Sequence, residues 1–306
     1  MILLVWALAF AGIVSAQQPS SLVEAEWLKA NLDNPNIRIL DVSKNPKDFG
    51  KGHITNALSV DRHLDLGDTT ALPPTLYPNK EQFERLMGRL GITPDTTVVA
   101  YDDNKSLYAA RLTTIMEAYG HDPSKLKILN GGWVYWEGKE YPMETGPAKM
   151  PAATRYSASA ADQSRLVSSS EIYRDVVLGA KPGVMLLDAR PADEYQAKKI
   201  RAVRGGNVPG SINLTGANFM SDEDHRIKPL DEIRKMLTDA GFTPDKEIYV
   251  YCHSGDRSAH AHWVLRHMLG YENVRVNDSG WKGWAETLSY PAKDQAWAWQ
   301  AKEAAK

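Results

Sequence analysis

The chain reads as an α/β protein of two tandem domains, each a parallel sheet with helices on both faces. The first observation behind this is an internal repeat. Leu90-Gly91-Ile92-Thr93-Pro94-Asp95 matches Ala240-Gly241-Phe242-Thr243-Pro244-Asp245 at an offset of 150 residues. At the same offset Val98-Val99-Ala100-Tyr101 falls on Ile248-Tyr249-Val250-Tyr251, and Gly120 on Gly270. Upstream, Ile39-Leu40-Asp41-Val42 pairs with Leu186-Leu187-Asp188-Ala189; downstream, Gly131-Gly132-Trp133 pairs with Ser279-Gly280-Trp281. Similarity that keeps its order across a whole half points to tandem duplication. The second observation is alternation: short β-rich runs separated by helical patterns imply parallel strands joined by helical crossovers.

The β-rich runs are 37–42, 97–101 and 127–129 in the first half, and 184–187, 247–251 and 274–276 in the second. Residues 80–90 and 230–240 carry apolar side chains at helical spacing and stop at Gly91 and Gly241, as helices ending in a left-handed glycine do. A length of 306 residues agrees with two units of about 150. The expected organisation is a first domain at 20–145, a linker at 146–170, a second domain at 171–290 and a tail at 291–306. The linker is rich in Ala, Ser, Thr and Pro. The tail has no counterpart in the first half and is expected to pack across the domains or fray.

Residues 1–16, MILLVWALAFAGIVSA, form an apolar run with small residues near its end, too short to span a bilayer comfortably. The expectation is a secretory signal peptide cleaved after Ala16, hence an exported, periplasmic protein with no membrane attachment after cleavage. No Lys or Arg precedes the run, so an uncleaved anchor or a start codon placed slightly late are the alternatives. Apolar content of 43% and charged content of 24% are ordinary globular values. With 36 basic against 38 acidic residues, a broad nucleic-acid-binding surface is not expected. A single cysteine excludes an intramolecular disulfide and a Cys-rich zinc site.

That cysteine carries the chemistry. A buried-strand pattern at 247–251 runs into Cys252-His253-Ser254-Gly255-Asp256-Arg257-Ser258, and a helical pattern follows over 259–269, with Ser258 as its expected N-cap. The thiol therefore lies at the carboxyl end of a parallel strand, the edge where open α/β sheets bind ligands. Free N–H groups and the positive end of a helix dipole favour a thiolate there. Arg257 adds a full positive charge, and Gly255 lets the backbone curl. A free cysteine is most often a small buried hydrophobe, but such a residue sits in an apolar run, and this loop is polar and charged. A thiolate under amide donors is suited to attack a group that carries negative charge.

The pattern Cys252-x-x-Gly255-x-Arg257-Ser258 after a β-run resembles the active-site loop of the rhodaneses, a family of sulfurtransferases. The resemblance extends to Asp188-Ala189-Arg190 with Glu194-Tyr195, Val208-Pro209-Gly210-Ser211-Ile212-Asn213 and Gly280-Trp281, and to Phe49-Gly50-Lys51-Gly52-His53-Ile54 and Gly131-Gly132-Trp133 in the first half. It implies catalysis in the second domain. At the offset of 150, Asp102 stands where Cys252 does. A carboxylate cannot carry a sulfane sulfur, so the first domain is expected to be inert in transfer and to help form the cleft.

What the resemblance implies is sulfur transfer through a Cys252 persulfide. The donor is a small anion, thiosulfate or similar; the acceptor is a thiol or cyanide. His253, Ser254, Gly255, Asp256, Arg257 and Ser258 contact the substrate. No cofactor is implied. Thiosulfate-specialised tandem members have an arginine shortly after the aspartate motif and a lysine two residues after the cysteine; here Glu194 and Ser254 stand there. Arg201 and Arg204 are read as a solvated charged turn, or else as replacement anion contacts.

Two rival functions are a persulfide relay between partner proteins and a cysteine phosphatase. Phosphatase loops hold five residues between cysteine and arginine, whereas His253 to Asp256 are four. His253, His260, His262 and His267 lack the spacing and carboxylate of a zinc set, and are expected on loop and helix surfaces. Asp222-Glu223-Asp224 is read as a solvated loop, since calcium-loop spacing is lacking.

Overall fold

The computed structural model describes residues 21–43, 45–71, 73 and 75–299. The expected signal peptide lies outside the described residues. Each half is a parallel sheet flanked by helices. The first sheet runs, in spatial order, Leu22–Val23, Leu126–Leu129, Thr97–Tyr101, Ile37–Asp41 and Leu58–Ser59. The second runs Ser211–Asn213, Val184–Asp188, Glu247–Tyr251 and Val274–Val276. Where the first domain has Leu22–Val23, the second has an isolated parallel bridge from Leu166 to Val276.

The duplication is exact in register at the site. Asp41 pairs with Tyr101 and Asp188 with Tyr251. In each repeat the tyrosine hydroxyl donates to that aspartate, at 2.9 Å in the first and 2.5 Å in the second. The central strands Thr97–Tyr101 and Glu247–Tyr251 are buried from their second residue on, which is why they read as continuous apolar runs rather than alternating ones. Helix Lys80–Arg89 begins with a capping box between Asn79 and Gln82. It and helix Leu230–Asp239 end just before Gly91 and Gly241, both at positive φ (64° and 87°).

The two domains share a core. Helix Leu107–Ala118 of the first packs on helix Asp256–Trp263 of the second, so Leu112 and Ile115 join Ala261 and Trp263 in one apolar cluster. This is the joint that matters, because the second helix begins at the candidate site. The segment expected as a linker lies against the first domain: Tyr156 is buried beside Phe83, its hydroxyl 3.0 Å from His121 Nδ1.

The tail differs from expectation. Lys293–Trp297 forms an antiparallel ribbon with Arg204–Asn207. It also has a counterpart, since His53–Ile54 pairs with Met143–Glu144 in the first half. Too little side-chain pattern survives in these strands for alignment to detect it. No helix among the described residues is long and apolar enough to cross a membrane.

Candidate active site

The strand Glu247–Tyr251 delivers Cys252 to its carboxyl end, three residues turn the chain, and helix Asp256–Trp263 leaves. Gly255, at φ 90°, is the residue before the helix, and its carbonyl accepts from Ala259 N at 3.0 Å. The helix thus starts earlier than its apolar pattern indicated, and Ser258 is its third residue rather than its cap. A left-handed glycine turns the chain without a capping side chain, so the usual cap signal is absent. The N–H groups of His253, Ser254, Gly255, Asp256, Arg257 and Ser258 have no acceptor among the described residues. They are the free donors of a tight turn and a helix start.

The floor of this loop is the Gly-Trp block. Trp281 N donates to the Cys252 carbonyl at 2.6 Å and Lys282 N to the His253 carbonyl at 3.0 Å. A Cβ on Gly280 would stand 2.6 Å from the His253 oxygen, so only glycine allows this approach. The first repeat copies the arrangement, with Trp133 N donating to the Asp102 carbonyl at 2.9 Å.

In that first repeat the loop is filled by its own side chain. The Asp102 carboxylate accepts from Asn104 N and Ser106 N on one oxygen (2.7 and 3.0 Å) and from Tyr108 N and Ala109 N on the other (2.8 and 2.9 Å). Burial pushes this carboxyl up to about 6 while the backbone donors pull it down. The corresponding loop of the duplicated fold is therefore an anion cradle, here occupied internally.

Around Cys252, each residue singled out in the loop has a definite place. The sulfur is buried, 1% exposed, and accepts from Ser258 Oγ at 3.6 Å. Arg257 is bound in two places by Glu194, at 3.0 and 3.2 Å, so its charge is partnered rather than free. Burial works against the Arg257 charge, but the fields of Cys252 and Glu194 outweigh it and tighten its hold on the proton. Glu194 is also met by Arg201 at 3.1 Å; despite burial, Arg257 and Arg201 hold its carboxyl below the usual range. His253 is driven down to about 4 by burial and by the nearby Arg201 charge, so it is neutral at pH 7. Ser254 Oγ reaches Asp256 Oδ2 at 3.4 Å, and Asp256 faces Arg62 at 3.2 Å.

A cleft of about 230 Å³ opens over the loop, bounded by His253, Ser254, Asp256, Arg201 and Lys282 on one side. Arg62, His63, Leu66 and Arg111 of the first domain form the other side. Arg111 is nearly sealed in the interface. It donates to the carbonyls of Leu66 (3.0 and 2.8 Å), Thr75 (2.7 Å) and Ser254 (3.3 Å), and its Nη1 would lie 2.2 Å from a Cβ on Gly255. Sequence inspection passed over Arg62, Arg111 and Lys282, because only the domain packing brings them to the loop.

Two expectations need correcting. Arg201 lines the cleft with its side chain 46% exposed, a solvated charge as expected, whereas Arg204 is buried and donates to the carbonyls of Trp284, Ala285, Thr287 and Tyr290 and is no solvated turn. His260 and His262 lie in the interior, not on a helix surface, with no hydrogen-bond partner on either ring, and burial lowers both to about 3. The helix carrying them is wedged between the domains, which buries faces that amphipathic reasoning would leave wet. His267 does reach a partner, Glu117, at 2.8 Å.

Comparison with known proteins places this architecture. The model of the rhodanese-like domain matches twice, over residues 24–139 and 177–287. A putative thiosulfate sulfurtransferase of Mycobacterium leprae is 32% identical over 278 residues, covering 88% of this chain and 96% of the relative. The sulfur carrier protein TtuD of Thermus thermophilus is 30% identical, covering 89% and 96%. Among solved structures, SseA of Escherichia coli, described for the "rhodanese" fold of 3-mercaptopyruvate sulfotransferases, superposes with a TM-score of 0.73 at 26% identity, covering 85% of this chain and 98% of that one. With both halves matched and the cysteine loop in the second, the chain belongs to the rhodanese family as a tandem-domain sulfurtransferase.

Proposed function

We propose that the protein moves a sulfane sulfur through a persulfide on Cys252, from thiosulfate or a similar small anionic donor to a thiol or cyanide. The Cys252 thiolate attacks the outer sulfur of the donor; the S–S bond breaks, sulfite leaves with its electron pair, and Cys252 carries the sulfur. An acceptor nucleophile then takes that outer sulfur and the thiolate is restored. Free N–H groups of residues 253–258 stabilise the anionic sulfur, and Ser258 Oγ holds its inner atom.

One observation carries this reading: the matching loop of the first repeat gathers four N–H groups onto the Asp102 carboxylate. The loop at Cys252, one residue shorter before its helix, leaves the N–H groups of residues 253–258 uncommitted, in position to receive a substrate anion. Asp102 cannot form a persulfide, which supports an inert first domain. Arg257, tied to Glu194, is poorly placed to clamp a phosphate dianion, and this disfavours the phosphatase alternative.

Incubation with thiosulfate alone should add one sulfur atom to Cys252 by mass spectrometry, and Cys252→Ser should lose transfer to cyanide. Transfer retained in the serine variant would remove the mechanism. The likeness to a protein named a sulfur carrier favours a second reading, relay to a protein acceptor. It requires the mass gain to appear only with a partner present. We propose export as well, supported by the apolar 1–16 run; a mature N-terminus at Gln17 in the periplasmic fraction is the expected result.

A further inference from the structure

Beyond the loop amides, we propose a second anion subsite, built across the domains by Arg62 of the first and Lys282 of the second. It selects donors whose carboxylate or sulfonate lies beyond the reacting sulfur. The proposal rests on Cys252 as the reacting atom.

Both residues line the cleft and flank the loop. Lys282 is anchored by its backbone N–H to the His253 carbonyl, beside Cys252. Its ammonium makes no hydrogen bond or ion pair among the described residues. Arg62 lies with its guanidinium 4.3 Å from the Tyr108 ring centre and 3.2 Å from Asp256, at the first residue of the helix. Its Nε is buried without a partner. A buried donor without an acceptor is costly unless a ligand supplies one. Arg111 and Arg201 also border the space but are committed to backbone carbonyls and to Glu194. With Arg257 behind the loop, five cations stand with three carboxylates, Asp256, Glu194 and, beside Arg111, Asp278, leaving a surplus of positive charge in a confined cleft. About 230 Å³ is several times the ~30 Å³ share of a water molecule, room for an organic anion. The first domain, inert in chemistry, would then set donor choice.

The test uses two methanethiosulfonates of similar size, one bearing a sulfonatoethyl and one a trimethylammonioethyl group. Each forms a disulfide with Cys252 as methanesulfinate leaves, so the distal charge is the variable. The full-length protein should react with the sulfonate reagent at least about tenfold faster than with the cation. Arg62→Gln and Lys282→Gln should each cut that ratio several-fold, the double variant most, with unchanged thermal midpoints as the folding control. A ratio near one in the unmodified protein, or one untouched by both substitutions, would overturn the subsite alone. Failure of Cys252 to react with either reagent would overturn the nucleophile assignment and the subsite with it.

Discussion

Arg111 Nη1, on a helix of the first domain, donates to the carbonyl oxygen of Ser254 in the second at 3.3 Å. A cation from one repeat thus holds the loop that carries the cysteine of the other. The same guanidinium serves Leu66 and Thr75, so the loop, the cleft wall and the domain joint meet on one side chain. One copy carries Asp102 where the other carries Cys252, and a side chain of the first holds the loop of the second.

Arg111→Met removes donors from three carbonyls in a nearly sealed interface. Each unsatisfied carbonyl costs on the order of 1 kcal/mol or more, so urea unfolding should show a loss of about 2–4 kcal/mol. The Ser254 carbonyl would also be free to turn, and kcat should fall with it. Arg111→Lys should restore part of the stability but less of the rate, because a point charge cannot reach all three oxygens. Wild-type kcat in the methionine variant would mean that the loop keeps its shape unaided.

Asp102→Ala separates structure from chemistry. Four N–H groups would lose their acceptor, at a cost of about 2–4 kcal/mol, while transfer per folded molecule stays near the wild-type rate. The pH dependence has a definite sign. The Asp102 carboxyl is raised from 3.8 to about 6 in the fold, so the folded state binds more protons within that window. Its contribution is fully present below pH 3.8 and is lost as the pH rises through about 6. The stability difference between wild type and Asp102→Asn, measured across pH 4–7, should therefore shrink in the wild type's disfavour as pH increases.

The β runs, the repeat and the cysteine loop were legible because each is local: burial on both sheet faces produces Ile248-Tyr249-Val250-Tyr251, and a strand–loop–helix junction needs Gly255. What was not legible depends on how two domains dock. Arg62 and Arg111 lie far from Cys252 in sequence and reach it only across the joint. His260 and His262 alternate with alanines in a helix that looks half-exposed until packing covers it, His260 against Phe219 of its own domain and His262 near Glu117 of the first. Arg204 reads as a charged turn, yet it caps the carbonyls of the last helix from inside. Gly255 hid the helix start, since a glycine cap leaves no side-chain signature.

The buried histidines should make the protein acid-sensitive. His260 and His262 are held to about 3, far under the ordinary 6.5, by burial without a hydrogen-bond partner. The unfolded chain takes up protons below pH 6.5 while the folded one does not, so stability is present above that pH and drains as the pH falls toward 3. Replacing either ring by a hydrophobe of similar volume, His260→Leu or His262→Phe, should move the acid-unfolding midpoint down. An unchanged midpoint in both would place the acid sensitivity on other groups.

Glu194 offers the sharpest separation of rate from stability. It is buried between Arg257 and Arg201, cancelling charge close to the cysteine. Glu194→Gln keeps the shape and an acceptor oxygen but removes the negative charge. The largely buried Arg257 guanidinium then stands under-paired, while the half-exposed Arg201 is hydrated, and breaking a buried pair costs about 3–5 kcal/mol at the upper end. The unfolding free energy should fall accordingly. The freed field around Cys252 now favours an approaching anion, so kcat/KM for thiosulfate should rise several-fold at low salt, and the gain should fade as ionic strength grows. A drop in kcat/KM with anionic donors would instead show that Arg257 acts only when Glu194 orients it, and that geometry outweighs charge at this site.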